Sequence, residues 1–267
     1  MLLLAIAVIV FPIWIVFAGS TQTLSDILDA PMSILPDSHF AENYGRALLE
    51  GGKNLGASAA VMIKNSTIMA LGITVGKIVI SLLAAFAIVY FDFALREFCF
   101  WAIFVTLMLP VEVRIMPTYK VVADLGMLNT YAGLILPMTV SATAVFLFRQ
   151  FFKSVPREIA EAAAIDGSTP MQFFARILVP MTRTPIAAMF VIQFIYGWNQ
   201  YLWPLLITTK ESYYTLLIGI NRMLAVGDAQ AEWQVILATT MLAMIPPVFV
   251  VIAMQKQFVT GMTDTEK

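Results

Sequence analysis

An all-α integral membrane protein with about six transmembrane helices is the fold class that the sequence predicts. Three observations carry that expectation. Of 267 residues, 60% are hydrophobic and 12% are charged, and mean hydropathy is +0.84, far from a soluble globular domain. Six apolar stretches are long enough to cross ~30 Å of hydrocarbon at ~1.5 Å per residue. The formal net charge is −1, so no polybasic surface argues for a nucleic-acid partner.

The stretches lie near 2–18, 66–91, 98–117, 131–152, 184–207 and 235–254. The first begins at Met1 with neither the basic lead nor the small-residue cleavage site of a signal peptide, so it reads as a span lacking its cytoplasmic lead-in. Residues 19–65 carry Pro31, Pro36, Gly51, Gly52 and five acids, and read as a long extramembrane loop rather than a separate domain. The lone His39 falls there as a solvated side chain. The lone Cys99 excludes an intramolecular disulfide and supplies no metal or redox pair. The domain plan is therefore a first span and outer loop over 1–65, a core over 66–254 with a returning loop at 153–183, and a tail over 255–267.

The second span carries Gly72 and Gly76, the small-xxx-small spacing that lets membrane helices approach closely. Lys77 follows, ~16 Å along a helix from Ser66 and ~21 Å from Phe91. A lysine that deep costs ~2.5–3.5 kcal/mol even on the lenient insertion scale, so it must face a cavity or a partner. A place on a transport path and a structural role between helices both fit. Gly76-Lys77 is no nucleotide loop, because Leu71 stands where the first glycine belongs and Ile78 replaces Ser/Thr.

The third span ends in Glu112 and Arg114, charges affordable at the outer interface as anchors. Arg114 also has the planar fork that recognises phosphate oxygens. The fifth span ends in Tyr196-Gly197-Trp198-Asn199-Gln200-Tyr201-Leu202-Trp203, where the rings suit an interfacial belt. Asn199 and Gln200 either line a path or hydrogen-bond neighbouring helices.

The loop at 153–183 has structure of its own. Ser154 and Pro156 stand at a helix start with Glu158 in its first turn, and Gly167 is a left-handed stop. Thr169-Pro170-Met171-Gln172 opens a second helix with a capping box, and Pro180 is expected to end it. Ala162 and Ala163 offer a shallow surface for a partner. With both termini inside, eight Lys/Arg fall on inner segments and seven on outer ones, too even to orient the chain alone. The 153–183 loop is the most basic, which favours termini-in.

Glu161-Ala162-Ala163, then Asp166-Gly167, then Ile177 and Val179-Pro180 resemble in spacing the EAA loop of ABC-importer permeases, with Val179 where leucine is usual. The resemblance implies a type-1 ABC importer transmembrane domain in which Glu161, Ala162, Ala163, Asp166, Gly167, Ile177 and Pro180 couple the chain to a cytoplasmic ATPase. Residues from about 60 to 267 are similar to the smaller permease of carbohydrate-type importers. Leu107–Arg114, Phe146–Phe152 and Phe194–Leu206 resemble the sn-glycerol-3-phosphate branch. Implied with it are a bacterial inner-membrane location, a second permease subunit, two ATP-binding subunits, a periplasmic solute-binding protein, and ATP with Mg used only by the partner ATPase. The 208–234 loop would contact the binding protein and the tail the ATPase. The expected substrate path is Lys77, Arg114 and Asn199.

Two other classes fit worse. A secondary transporter wants acids buried in its spans, and the six stretches hold no deep Asp or Glu. A membrane enzyme wants a catalytic constellation such as HExxH or GxSxG, and neither is present.

Overall fold

The computed structural model describes residues 1–53, 55–106, 111–225 and 231–263, and for Leu2, Val111, Glu112 and 256–263 it describes the backbone alone. The elements among them are helical: α1 (Leu2–Ser20), α2 (Leu24–Leu28), α3 (Phe40–Leu49), α4 (Ala59–Tyr90), α5 (Arg96–Val105), α6 (Val111–Asp124), α7 (Tyr131–Ile135), α8 (Ala142–Ser154), α9 (Arg157–Ile165), α10 (Pro170–Phe173), α11 (Val179–Met181), α12 (Arg183–Trp198), α13 (Leu202–Ile207), α14 (Leu216–Leu224) and α15 (Trp233–Thr263).

Three helices are long and apolar enough to cross a membrane unbroken: α1 over Leu3–Ser20, α4, and α15 over Trp233–Gln255. Two bent helix pairs are also long and apolar enough to cross if each counts as one broken span. Tyr131–Met138 meets Ala142–Ser154 at 49°, and Pro170–Met181 meets Arg183–Trp198 at 75°. The first break follows Pro137, where a 3-10 turn over Leu136–Met138 leaves Thr139 and Val140 outside any helix. The predicted third span, 98–117, appears as α5 and α6, and the residues joining them, 107–110, lie outside the described set. With them goes the first half of the Leu107–Arg114 motif.

The fifth expected span, 184–207, is corrected. Helix α12 stops at Trp198, Asn199 lies in a turn, and the chain restarts as α13. Pro204 explains the restart, since it has no N–H to bond residue 200 and is tolerated only near a helix start. The loop expected over 19–65 holds α2 and α3 and ends early, at the start of α4.

The chain forms two compact units, one of Met1–Ile68, Asn129–Tyr131 and Asn199–Phe249, the other of Met69–Leu128, Ala132–Trp198 and Val250–Lys267. In the first, Asn65 donates to the carbonyls of Ser212 and Tyr214 at 2.9 Å each, and Tyr131 donates to Asn65 Oδ1 at 2.7 Å. Glu232, just before α15, takes the Arg46 guanidinium at 2.7 Å and the Lys53 amide at 3.0 Å. Burial pulls its carboxyl upward, but those bonds outweigh it and hold the group below the usual carboxylate range.

The second unit has an aromatic core at the end of α4. Phe86, Phe148, Phe152, Phe173 and Leu178 are all buried in one cluster that joins α4 and α8 to the 153–183 loop.

Candidate functional site

Two places in the second unit concentrate the residues singled out by sequence. One is a cleft of ≈ 560 Å³ lined by Lys77 of α4, Arg114 and Thr118 of α6, Ser141 and Thr143 at the start of α8, and Gln193 and Tyr196 of α12. Glycines on α4 set its geometry. A Cβ on Gly72 would lie 2.6 Å from Ile135 Cδ1, and one on Gly76 would lie 2.5 Å from Thr139 Cγ2. The absence of side chains at both places lets the 131–138 segment and Thr139 lie this close to α4, which puts the break beside Lys77. The α8 N-terminus thus opens on the cleft, with Ser141 accepting from the Ala144 N–H at 3.3 Å as its cap.

Lys77 is 6% exposed. Its ammonium donates to Gln193 Oε1 at 3.0 Å and sits 3.6 Å from the centre of the Tyr196 ring. The charge is therefore met by neutral groups, and no carboxylate pairs with it among the described residues. Both sequence readings of Lys77 find their geometry here, since it has a helix partner and also lines the cleft. Arg114 is exposed and lines the same cleft, with the α8 N-terminus as a third source of positive potential. Asn199 is exposed in its turn and is not among the lining residues.

The second place is the 153–183 loop. Gly167 has φ +76°, the left-handed stop expected, and its N–H and that of Ser168 reach back to Ala164 and Ala163. Thr169 and Gln172 form the predicted capping box, with bonds of 3.3 and 2.9 Å. Three details differ from expectation. Ser154 ends α8, its hydroxyl donating back to Phe151, so Pro156 alone caps α9. Ala163 points inward, 4% exposed in the aromatic cluster, and the outward small surface is Ala162 and Ala164 beside Glu161 and Asp166. Pro180 does not end its helix. A π-helical run, Phe174–Leu178, precedes it, α11 carries the chain through it, and the bend comes at Thr182. A π-helical turn shifts bonding past the carbonyl that a proline ring would strike, so the path survives.

Ile177 packs half-buried on the aromatic cluster, while Ile165 is 87% exposed at the end of α9. Phe173 meets the Tyr90 ring edge-on at 5.2 Å, and Phe174 lies 4.8 Å from Phe86.

Sequence reasoning missed Gln193, the break at 139–141 and the burial of Arg149. The last counted only as an inner charge, yet it is 7% exposed, stacked 3.8 Å over Phe100 and 3.7 Å from Glu97.

The family described as "Binding-protein-dependent transport system inner membrane component" matches residues 77–264. The chain is 53% identical over 268 residues to the sn-glycerol-3-phosphate transport system permease protein UgpE of Agrobacterium fabrum, covering 100% of this chain and 95% of the relative. It is 51% identical over 267 residues to the protein of that name from an Escherichia coli O6:K15:H31 strain, with the same coverage. A solved bacterial ABC transporter involved in import of the acidic polysaccharide alginate superposes with a TM-score of 0.83, covering 96% of this chain and 94% of the other, at 20% identity. At that identity the likeness concerns the fold.

Proposed function

This chain belongs to the family of inner-membrane components of binding-protein-dependent transport systems, and we propose that, as an ABC-importer permease subunit, it passes sn-glycerol-3-phosphate through the Lys77 cleft. The observation that carries the substrate is the cleft's charge. A phosphomonoester is at or near a dianion at neutral pH, and its desolvation is costly without fixed positive charge. Lys77, Arg114 and the α8 N-terminus supply that charge around one space, with Ser141, Thr143 and Thr118 as hydroxyls beside it. Arg114 receives the phosphate with its planar fork and Lys77 offers a point charge farther in. One cation at each depth holds the solute loosely enough to release it. The names borne by relatives about half identical over the full chain support the same solute.

In this reading the chain does no hydrolysis itself. Two ATP-binding subunits use ATP and Mg, a second permease subunit completes the path, and a periplasmic binding protein delivers the solute. The loop at 153–183 faces the ATPase, with Glu161, Ala162, Asp166 and Gly167 on or beside its exposed surface, Ala163 and Ile177 carrying it from behind, and Pro180 half-buried in α11 beyond them. Alternating access follows when ATP closes the ATPase pair and the loop transmits the motion. The termini and the loop are cytoplasmic. The 208–234 segment meets the binding protein, although 226–230 lie outside the described residues, as do 264–267 of the tail.

The test is ATP-driven uptake of sn-glycerol-3-phosphate into proteoliposomes by assembled complexes carrying Lys77→Met or Arg114→Gln. Each should lose at least tenfold, on the order of one charge-assisted hydrogen bond. Wild-type uptake by both would remove them from the path. Impermeant maleimide on single cysteines in a Cys99-free background checks orientation: positions in 25–60 should label from outside, and those in 160–175 should not.

A further inference from the structure

We infer that Gln193 and Tyr196 position Lys77 for the anionic group of the solute, and so help set the permease's preference for phosphorylated over neutral polyols. The inference rests on the substrate reading above and extends it to two residues outside that charge set.

Gln193 and Tyr196 stand three residues apart on α12, on one face of the helix. Gln193, itself 6% exposed, takes one ammonium proton at 3.0 Å, and the Tyr196 ring covers another side at 3.6 Å. An ammonium has three donors, so this hold fixes its direction and leaves capacity toward the cleft that all three residues line. The choice of partners matters more than their number. A carboxylate in place of Gln193 would orient Lys77 equally well but would cancel its charge and repel a phosphate. An amide oxygen and an aromatic face stabilise the cation while leaving its unit charge uncompensated. Without them, a lysine with four rotatable bonds would spread its ammonium over the cleft or turn to a backbone carbonyl.

The mechanism predicts a pattern that a packing role does not produce. In the complete complex, Gln193→Leu should raise the KM for sn-glycerol-3-phosphate about tenfold, the loss of one hydrogen bond to a charged group. The maximal rate should change less. Gln193→Glu should raise KM further, although it restores a polar partner. Tyr196→Leu, which takes the ring face away from the ammonium, should lose about fivefold. In a Lys77→Met background, Gln193→Leu should have no further effect. Basal ATP hydrolysis of each complex reports assembly, and Gln193→Met carries the same test should the leucine variant fail to assemble. Losses that add to that of Lys77→Met, or a wild-type KM in Tyr196→Leu, overturn the positioning role while wild-type uptake keeps the substrate reading intact. A wild-type complex that imports no sn-glycerol-3-phosphate overturns the substrate reading, and this inference falls with it.

Discussion

The 153–183 loop shows mostly polar and small side chains, with Ile165, to solvent and buries its apolar anchors, whereas the Lys77 cleft buries Lys77, leaves Arg114 exposed and draws its walls from several separate helices. In the loop, Glu161, Ala162, Asp166 and Gly167 are exposed, and Ala163, Phe173 and Leu178 are locked into the aromatic core. In the cleft, Lys77 and Gln193 are each 6% exposed. The difference teaches how each surface is stabilised. Hydrophobic burial ties the loop to the α4 and α8 residues of the core, so the two move together. The cleft rests on a few polar contacts in a low-dielectric setting, where each contact weighs more and a mismatched partner costs more. Substitutions behind the loop should therefore act through stability, and substitutions in the cleft through solute affinity.

The sharpest way to break that contrast is Phe173→Ala. It empties a site against Tyr90 and Phe86 and should destabilise the loop's seat by about 3–5 kcal/mol. Copurification of the ATPase with the variant should fall even though no exposed residue has changed; unchanged copurification would show that the core does not hold the loop. Next comes Gly167→Val, which forces a β-branched residue to φ +76° at a cost of about 1–3 kcal/mol. No atom lies within 4 Å of the added Cβ, so the penalty is one of backbone alone. Gly167→Asn, which tolerates that conformation, should restore most ATP-coupled uptake, and equal losses in the two variants would point to a steric cause instead. The smallest expected effect on folding is that of Glu161→Lys, a surface change of within about 0.5 kcal/mol. Here the readout is function: ATP hydrolysis should persist while its coupling to uptake drops. Normal coupling with a reversed charge would take Glu161 off the docking surface.

What could be read from residues alone follows the same division. Thr169, Pro170 and Gln172 lie within four positions, and Gly167 is two residues before them, so each end signal acts over one helical turn and was legible. Pro180 misled because its penalty assumes α-helical bonding, and the π-helical run before it changes that assumption. Ala163 turned inward because Phe86, Phe148 and Phe152 wait on distant helices, a fact that no short window contains. Lys77 was visible as a charge at mid-span. Its partner was not, for Gln193 lies 116 positions away and a glutamine in a span is an ordinary residue. The break at 139–141 left a trace in Pro137, Thr139 and Ser141, but averaging over a span-length window lets the apolar neighbours mask it. Arg149 was counted only as an inner-segment charge because its stacking on Phe100 belongs to the tertiary fold.

The 75° bend at Thr182 makes the loop and α12 the two arms of a bell-crank. Gln193 lies ten residues beyond Arg183, so its arm is ~15 Å long at the helical rise per residue. A rotation of about 10° about the bend would sweep Gln193 through about 2–3 Å by that arm length. The Gln193–Lys77 bond is 3.0 Å long, so such a sweep is enough to part it. On the coupling proposed above, a tug on the loop would reach the grip on a buried cation, with the intervening helix needing only to stay stiff.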